Sequence, residues 1–190
     1  MRDNLGDCDA LIVVDVQRDL CRGGSWPVPD AETVVPVLNE WIRAARAAGL
    51  PVVLARDWHP SDHCSFVEQG GSRPAHCVRD TAGAAPHPAL DLPQDCIVVS
   101  KGTMSDRDTI SAFDDTGLAG TLHERGVSRV WIAGLGQEIG VRASVLDACD
   151  AGFETHLITA ATRPAERMPG VGQRALEAMR AAGAHIEAAA

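Results

Sequence analysis

The stretch AGLGQEIGVRAS, residues 133–144, decides how the rest of the chain is read. The apolar run Val130–Ala133 leads into it, and the helix-like run Val141–Ala151 leads out. A glycine-rich turn therefore joins a strand to a helix. Such a turn aims backbone N–H groups and a helix N-terminus at one point, where negative charge is stabilised. No Ser, Cys or Thr stands at the head of this helix.

Working outward, Leu11–Val14 is a continuous apolar run rich in β-branched residues that ends at Asp15. It reads as a buried parallel strand. Residues 18–30, RDLCRGGSWPVPD, form a loop by their Gly and Pro content, and Asp30 is a suitable N-cap for the next segment. Val34, Val35, Leu38, Trp41, Ile42 and Ala45 then share one helical face, which Gly49 ends. Pro51–Ala55 is a second strand, closing on Arg56-Asp57-Trp58-His59-Pro60. Residues 60–95 show no periodicity, and a loop region this long inside a compact domain is usually functional.

Ile97–Ser100 is a third strand, with Lys101 directly after it. Thr116 can cap a helix over Gly117–Arg125, and Val130–Ala133 is the fourth strand. Thr155–Ala160 is the fifth strand, Val171–Ala182 a helix, and His185–Ala188 the last strand. Strands alternating with helices predict an α/β fold. The expected form is a doubly wound three-layer α/β/α sandwich with a mostly parallel six-stranded sheet, one domain over residues 1–190. Ligands in such sheets bind beyond the carboxyl ends of the strands. Asp15, Asp57 with His59, Lys101 and the Gly136–Gly140 turn all fall there.

Composition bounds the function. A net charge of −9 argues against non-specific nucleic-acid or anionic-membrane binding. No apolar run approaches the roughly 18 residues of a membrane span, and MRDNLGD is unlike a signal peptide, so the cytoplasm is the expected compartment. The six cysteines contain no C-x-x-C pair and read as reduced thiols. With no Tyr and three Phe, few aromatics are left to line a flat-ring pocket.

Several stretches together resemble the nicotinamidase/isochorismatase superfamily of small α/β hydrolases: ALIVVDVQRDLC, DWHPSDHCSF, RPAHCVRDTAGAAPHP, SKGTMSDRDTISAF, TGLAGTLHERGVSRVWIAGL and PGVGQRALEAMRAAG. They cover nearly the whole chain in order. The resemblance implies a catalytic Asp at Asp15 and a catalytic Lys at Lys101, but the nucleophilic Cys position falls on Gly140. Where amidases of the family read G-[LV]-A-T-D-[YH]-C-V, this chain reads GLGQEIGV from Gly134 to Val141, and its Ile139-Gly140 pair resembles the isochorismatase branch. No acyl-thioester can form at a glycine. Cys149, Cys64 and Cys77 are poorly placed along the chain to replace the thiol.

The resemblance also implies an oxyanion hole from the amides of Gly136 and Gly140, with a non-proline cis peptide at Leu135–Gly136. It implies a metal site at Asp57, His59 and His76, with His63 and Glu68 as secondary ligands. A carboxylate with imidazoles suits a divalent ion, Zn²⁺ first, with Fe²⁺ or Mn²⁺ as alternatives. The substrate-binding positions fall on Leu20, Arg73, Ile139 and Trp58. Leu20 and Arg73 replace the Phe and Trp on which the family's amidases stack a pyridine ring, and Trp26 or Trp58 would have to substitute. Gln17 and Asp19 are expected to hold loop geometry.

The expected activity is hydrolysis of a small polar or anionic cyclic metabolite (an amide, imine, lactam or enol ether) by water activated by Asp15 and the metal. Three alternatives stand beside it: a nicotinamidase/pyrazinamidase-type amidohydrolase, an isochorismatase-type enol-ether hydrolase, and a catalytically silent ligand-binding protein. A homo-oligomer is expected from the resemblance.

Overall fold

In the computed structural model, which describes residues 5–187, each apolar run becomes a strand whose alternate side chains face opposite ways. The strands are β1 (Asp9–Val14), β2 (Val52–Asp57), β3 (Ile97–Lys101), β4 (Arg129–Leu135), β5 (Glu154–Arg163) and β6 (His185–Glu187). They form one sheet in the order β3-β2-β1-β4-β5-β6, and every neighbouring pair is parallel. Leu11 and Val13 of β1 pack with Leu38, Trp41 and Ile42 of helix α1 (Val34–Ala47). Ala10, Ile12 and Val14 point the other way. There they meet Leu122 of α2 (Leu118–Glu124), Val145 of α3 (Arg142–Asp150) and Met179 of α4 (Val171–Ala181). A strand buried on both faces needs helices on both, hence three layers. Burial of each large aliphatic side chain contributes about 1.5–3 kcal/mol.

The whole predicted face of α1 is buried. Thr116 caps as expected, its Oγ1 accepting the Leu118 N–H at 3.2 Å. Asp30 does not: its side chain makes no cap bond, and its carbonyl instead closes a 3-10 turn, Ala31–Thr33, that precedes α1. The expected helix over Val141–Ala151 is entered through a π-helical turn, Gln137–Val141. β5 runs on to Arg163 because its register against β4 slips between Ile132 and Gly134. No peptide bond among the described residues is cis, so the expected bond at Leu135–Gly136 is trans, and Gly136 turns the chain in a left-handed conformation. Ala188, the expected end of the last strand, lies outside the described residues. No described helix is long and apolar enough to cross a membrane.

The sheet order reverses direction at β1, which lies between β2 and β4. In open α/β sheets the crevice for ligands opens at this switch point, beyond the carboxyl ends of the strands.

Candidate active site

Asp15 follows β1 at that crevice. Its N–H still bonds the Ala55 carbonyl at 2.9 Å, but its backbone is left-handed, which turns the carboxylate out of the strand direction. Asp57 ends β2 and is the register partner of Lys101 at the end of β3. The Lys101 ammonium reaches both carboxylates, 2.5 Å from Asp57 Oδ1 and 2.9 Å from Asp15 Oδ2. All three side chains are buried. Gln17 locks this corner: its amide accepts the Asp57 N–H and donates to the Asp57 and Ala84 carbonyls. Asp19 accepts the Cys77 and Ser25 N–H groups, so both residues hold loops as expected.

Two buried carboxylates sharing one ammonium leave one negative charge in excess, and the pair resolves it unequally. Burial, then repulsion from Asp57, pushes the Asp15 carboxyl up to about 7 against the pull of Lys101. Burial would also raise Asp57, but Lys101 and His59 together hold it well below the usual carboxylate range. Burial alone would lower Lys101, yet the two carboxylates keep it above its ordinary value and charged. A carboxyl near 7 is matched to proton transfer at neutral pH.

Next to this trio stand three buried histidines. One ligand atom from each of Asp57, His59 and His76 lies within 4.8 Å of the others. The Nε2 atoms of His59, His63 and His76 are buried without a hydrogen-bond partner. His59 Nδ1 donates to the Gly102 carbonyl at 2.9 Å and His76 Nδ1 to the Pro74 carbonyl at 2.8 Å. With Nδ1 held by a carbonyl, each Nε2 faces Asp57 and is the atom a divalent cation would take as ligand. Burial pushes His76 down to about 4, so it is neutral at pH 7. Gly102 is needed for the His59 contact, since a Cβ there would lie 2.3 Å from the ring. These residues fit a divalent metal.

His63 is different. Its Nδ1 lies 2.8 Å from Ser65 Oγ and its ring 4.1 Å from that of His59, but its ligand atoms fall outside the Asp57–His59–His76 group. Glu68 sits exposed on the 3-10 turn Val67–Gln69, outside the Asp57–His59–His76 group.

The cavity beside Asp15 and Lys101 includes Gly136, Ile139 and Gly140 of the turn, with Leu20, Trp26 and Arg73 opposite. Its volume is ≈ 20 Å³, room for about one water, so a substrate must displace part of the wall. Trp58 is not in that wall: it packs on the α1-side core with the Arg56 guanidinium 3.7 Å above its ring. Trp26 supplies the aromatic face instead, 4.6 Å from the His76 ring. Arg73 is paired with Asp108 at 2.9 Å.

Two residues went unnoticed in the sequence because their partners are remote. Glu138 accepts the N–H groups of Ala165 and Glu166, and Arg167 donates to the Trp26 and Pro27 carbonyls. Together they strap the β5–α4 loop across the cavity.

At the turn itself, a Cβ on Gly140 would lie 2.3 Å from Asp15 Oδ2. The carboxylate occupies the space where any side chain at 140 would begin. No cysteine lines the cavity. Burial, reinforced by Asp57 and Asp15, holds the Cys77 thiol well above its ordinary pKa, so it is no thiolate nucleophile.

Known proteins share this architecture. The computed structure superposes on the pyrazinamidase of Pyrococcus horikoshii, solved in complex with zinc, with a TM-score of 0.90 and 44% identity over 95% of this chain and 98% of that one. The nicotinamidase of Acinetobacter baylyi is 34% identical, covering 92% of this chain and 89% of its own length. The nicotinamidase/pyrazinamidase of Mycobacterium tuberculosis is also 34% identical, covering 93% and 97%. The isochorismatase domain model matches residues 9–190, and with these relatives it shows that the chain belongs to the isochorismatase family of hydrolases.

Proposed function

We propose that this chain hydrolyses a small ring amide of the nicotinamide or pyrazinamide kind, with water rather than a thiol as the nucleophile. The substrate class rests on the relatives, which are nicotinamidases and pyrazinamidases. Among amides, imines, lactams and enol ethers, they favour an amide. The nucleophile rests on one observation of this chain: Asp15 fills the position from which a side chain at 140 would attack.

Asp15 takes the proton of the attacking water, using Oδ1, which is buried and has no other partner. Lys101 holds Asp15 in place and faces the charge that develops. The amides of Gly136 and Gly140 are the backbone donors for the oxyanion. Asp15, now protonated, returns its proton to the departing ammonia. Leu20, Ile139 and Trp26 flank the ring, and Arg73, paired with Asp108, closes the polar side of the cavity. Asp57, His59 and His76 would hold a divalent cation, zinc in first place because the Pyrococcus horikoshii relative was solved with it. Such an ion, when bound, polarises oxygen and acidifies water. The proposal retains a single domain, the cytoplasm as compartment and a homo-oligomer as assembly.

A second reading rests on the same carboxyl. Near pH 7 Asp15 also populates its neutral form, which would protonate an enol-ether carbon. Ammonia release from nicotinamide and pyrazinamide separates the two. The expected result is turnover that survives thiol alkylation, falls about 10²–10⁴-fold in Asp15→Asn, and leaves no adduct in intact-mass spectra. An acyl adduct on any cysteine during turnover overturns the water mechanism. Absence of ammonia from every ring amide tried overturns the amidase reading.

A further inference from the structure

At the opposite end of the sheet, β5 and β6 begin side by side and bring two imidazoles and two carboxylates together. His156 and His185 are register partners, and their rings stack at 4.6 Å with 21° between planes. The other face of His156 stacks on Trp131 at 4.3 Å. The ring is thus clamped on both sides. In its plane, Nδ1 lies 2.8 Å from Glu187 Oε1 and Nε2 lies 2.9 Å from Glu154 Oε1. One ligand atom each from Glu154, His156 and His185 falls within 4.8 Å of the others. None of these residues lines the cavity described above, and the proposed reaction does not use them.

We propose that Glu154, His156 and His185 form a second divalent-metal site, with Glu187 as the carboxylate that orients His156. Both His156 ring nitrogens face carboxylates, so an ion bound here would take Nε2 and Glu154 Oε1 as ligands while Glu187 continues to hold Nδ1–H. Two imidazoles and a carboxylate suit a first-row ion such as Zn²⁺, Ni²⁺ or Cu²⁺, with the remaining positions open to solvent. Glu154 and His185 are exposed, so the ion can reach the site. Arg129 Nη1 approaches Glu154 Oε1 only to 3.9 Å, while its short contacts, 2.7 and 2.9 Å, are with Asp9. The Glu154 carboxylate therefore remains able to ligate.

The competing arrangement is a protonated His156 shared between the two glutamates. That accounts for His156, whereas the metal reading also gives a role to His185, whose ligand atom lies within reach of the same point. Metal binding replaces the Nε2 proton, which leaves to solvent. The bound ion would link the first residue of β5 to the first residue of β6. That fastens a three-residue edge strand to the sheet.

The test is equilibrium dialysis of the full chain against micromolar free Zn²⁺, with zinc per chain measured by mass spectrometry. An Asp57→Asn background removes the contribution of the other site. In that background the chain binds one equivalent of zinc and its Tm rises with zinc, and both effects vanish in His185→Ala and in Glu154→Gln. Both substitutions are at exposed positions, so the metal-free Tm of each variant stays near that of its parent and reports intact folding. An Asp57→Asn chain that takes up no zinc overturns the proposal. So does an equivalent that persists in both second-site variants, because it must then be held elsewhere.

Discussion

At the scale of single residues, the absence of a side chain at Gly140 shapes the chemistry more than any side chain present. An alanine there would sit 2.3 Å from Asp15 Oδ2 but a tolerable 3.4 Å from Val14 Cγ1, so the carboxylate alone has to give way. Moving it breaks the 2.9 Å contact to Lys101 and re-aims the proposed base. Gly140→Ala is therefore expected to lower kcat at least about tenfold and to destabilise the fold by about 1–3 kcal/mol, the usual cost of overpacking. Turnover assays and thermal melts check this, and a variant indistinguishable from the parent in both means that Asp15 has room to yield. The same collision bears on Gly140→Cys, in which a restored thiol displaces the carboxylate it would need beside it.

At the scale of elements, β1 and β4 are joined at their starts as firmly as at the site. Asp9 is the register partner of Arg129 and accepts two bonds from its guanidinium, with a third from Trp131 Nε1 at 2.9 Å. Burial alone would raise the Asp9 carboxyl, but Arg129, the Gly6 N–H and Trp131 outweigh it and hold it below its ordinary value. A carboxyl depressed in the folded state stabilises at pH values above its unfolded pKa. That contribution is lost as pH falls through the folded one. Asp9→Asn is thus expected to lower Tm on the order of 5 °C at pH 7, from the loss of a charged hydrogen-bond acceptor. The gap between variant and parent narrows below about pH 4. Melting curves from pH 7 to 3 test it, and a gap that stays constant across the range would contradict the role given to Asp9.

At the scale of the whole molecule, one ammonium holds three strand ends together. Lys101 comes from the edge strand β3, pairs with Asp57 on β2, and reaches past it to Asp15 after β1. Lys101→Met leaves two buried carboxylates with no counter-charge, a loss of about 3–5 kcal/mol for breaking a buried pair. The Asp15 carboxyl, already raised above its unfolded value, then loses the group that opposed the rise. The remaining stability is accordingly greatest at low pH and falls as pH rises. Denaturant melts in chelator at pH 5.5 and 8 are expected to show a larger deficit at pH 8, and an equal deficit at both counts against the trio as described.

The chain by itself determined the layers and the chemistry available: apolar runs ending at Asp15, Asp57 and Lys101, a helical stripe from Val34 to Ala45, and a glycine at 140. These were legible because burial on both faces writes continuous apolar runs, and because strand ends are where polar residues return. Only the tertiary structure decided which of them meet. It moved Glu68 and Trp58 away from the site and brought in Trp26. It set the His63 ring against His59 while leaving its ligand atoms outside the Asp57–His59–His76 group. It stacked His185 on His156, and it placed Asp15 in the space beside Gly140. Periodicity reports which face a residue presents to the core, whereas ion pairs, tautomers and collisions depend on distances between chain segments far apart in sequence.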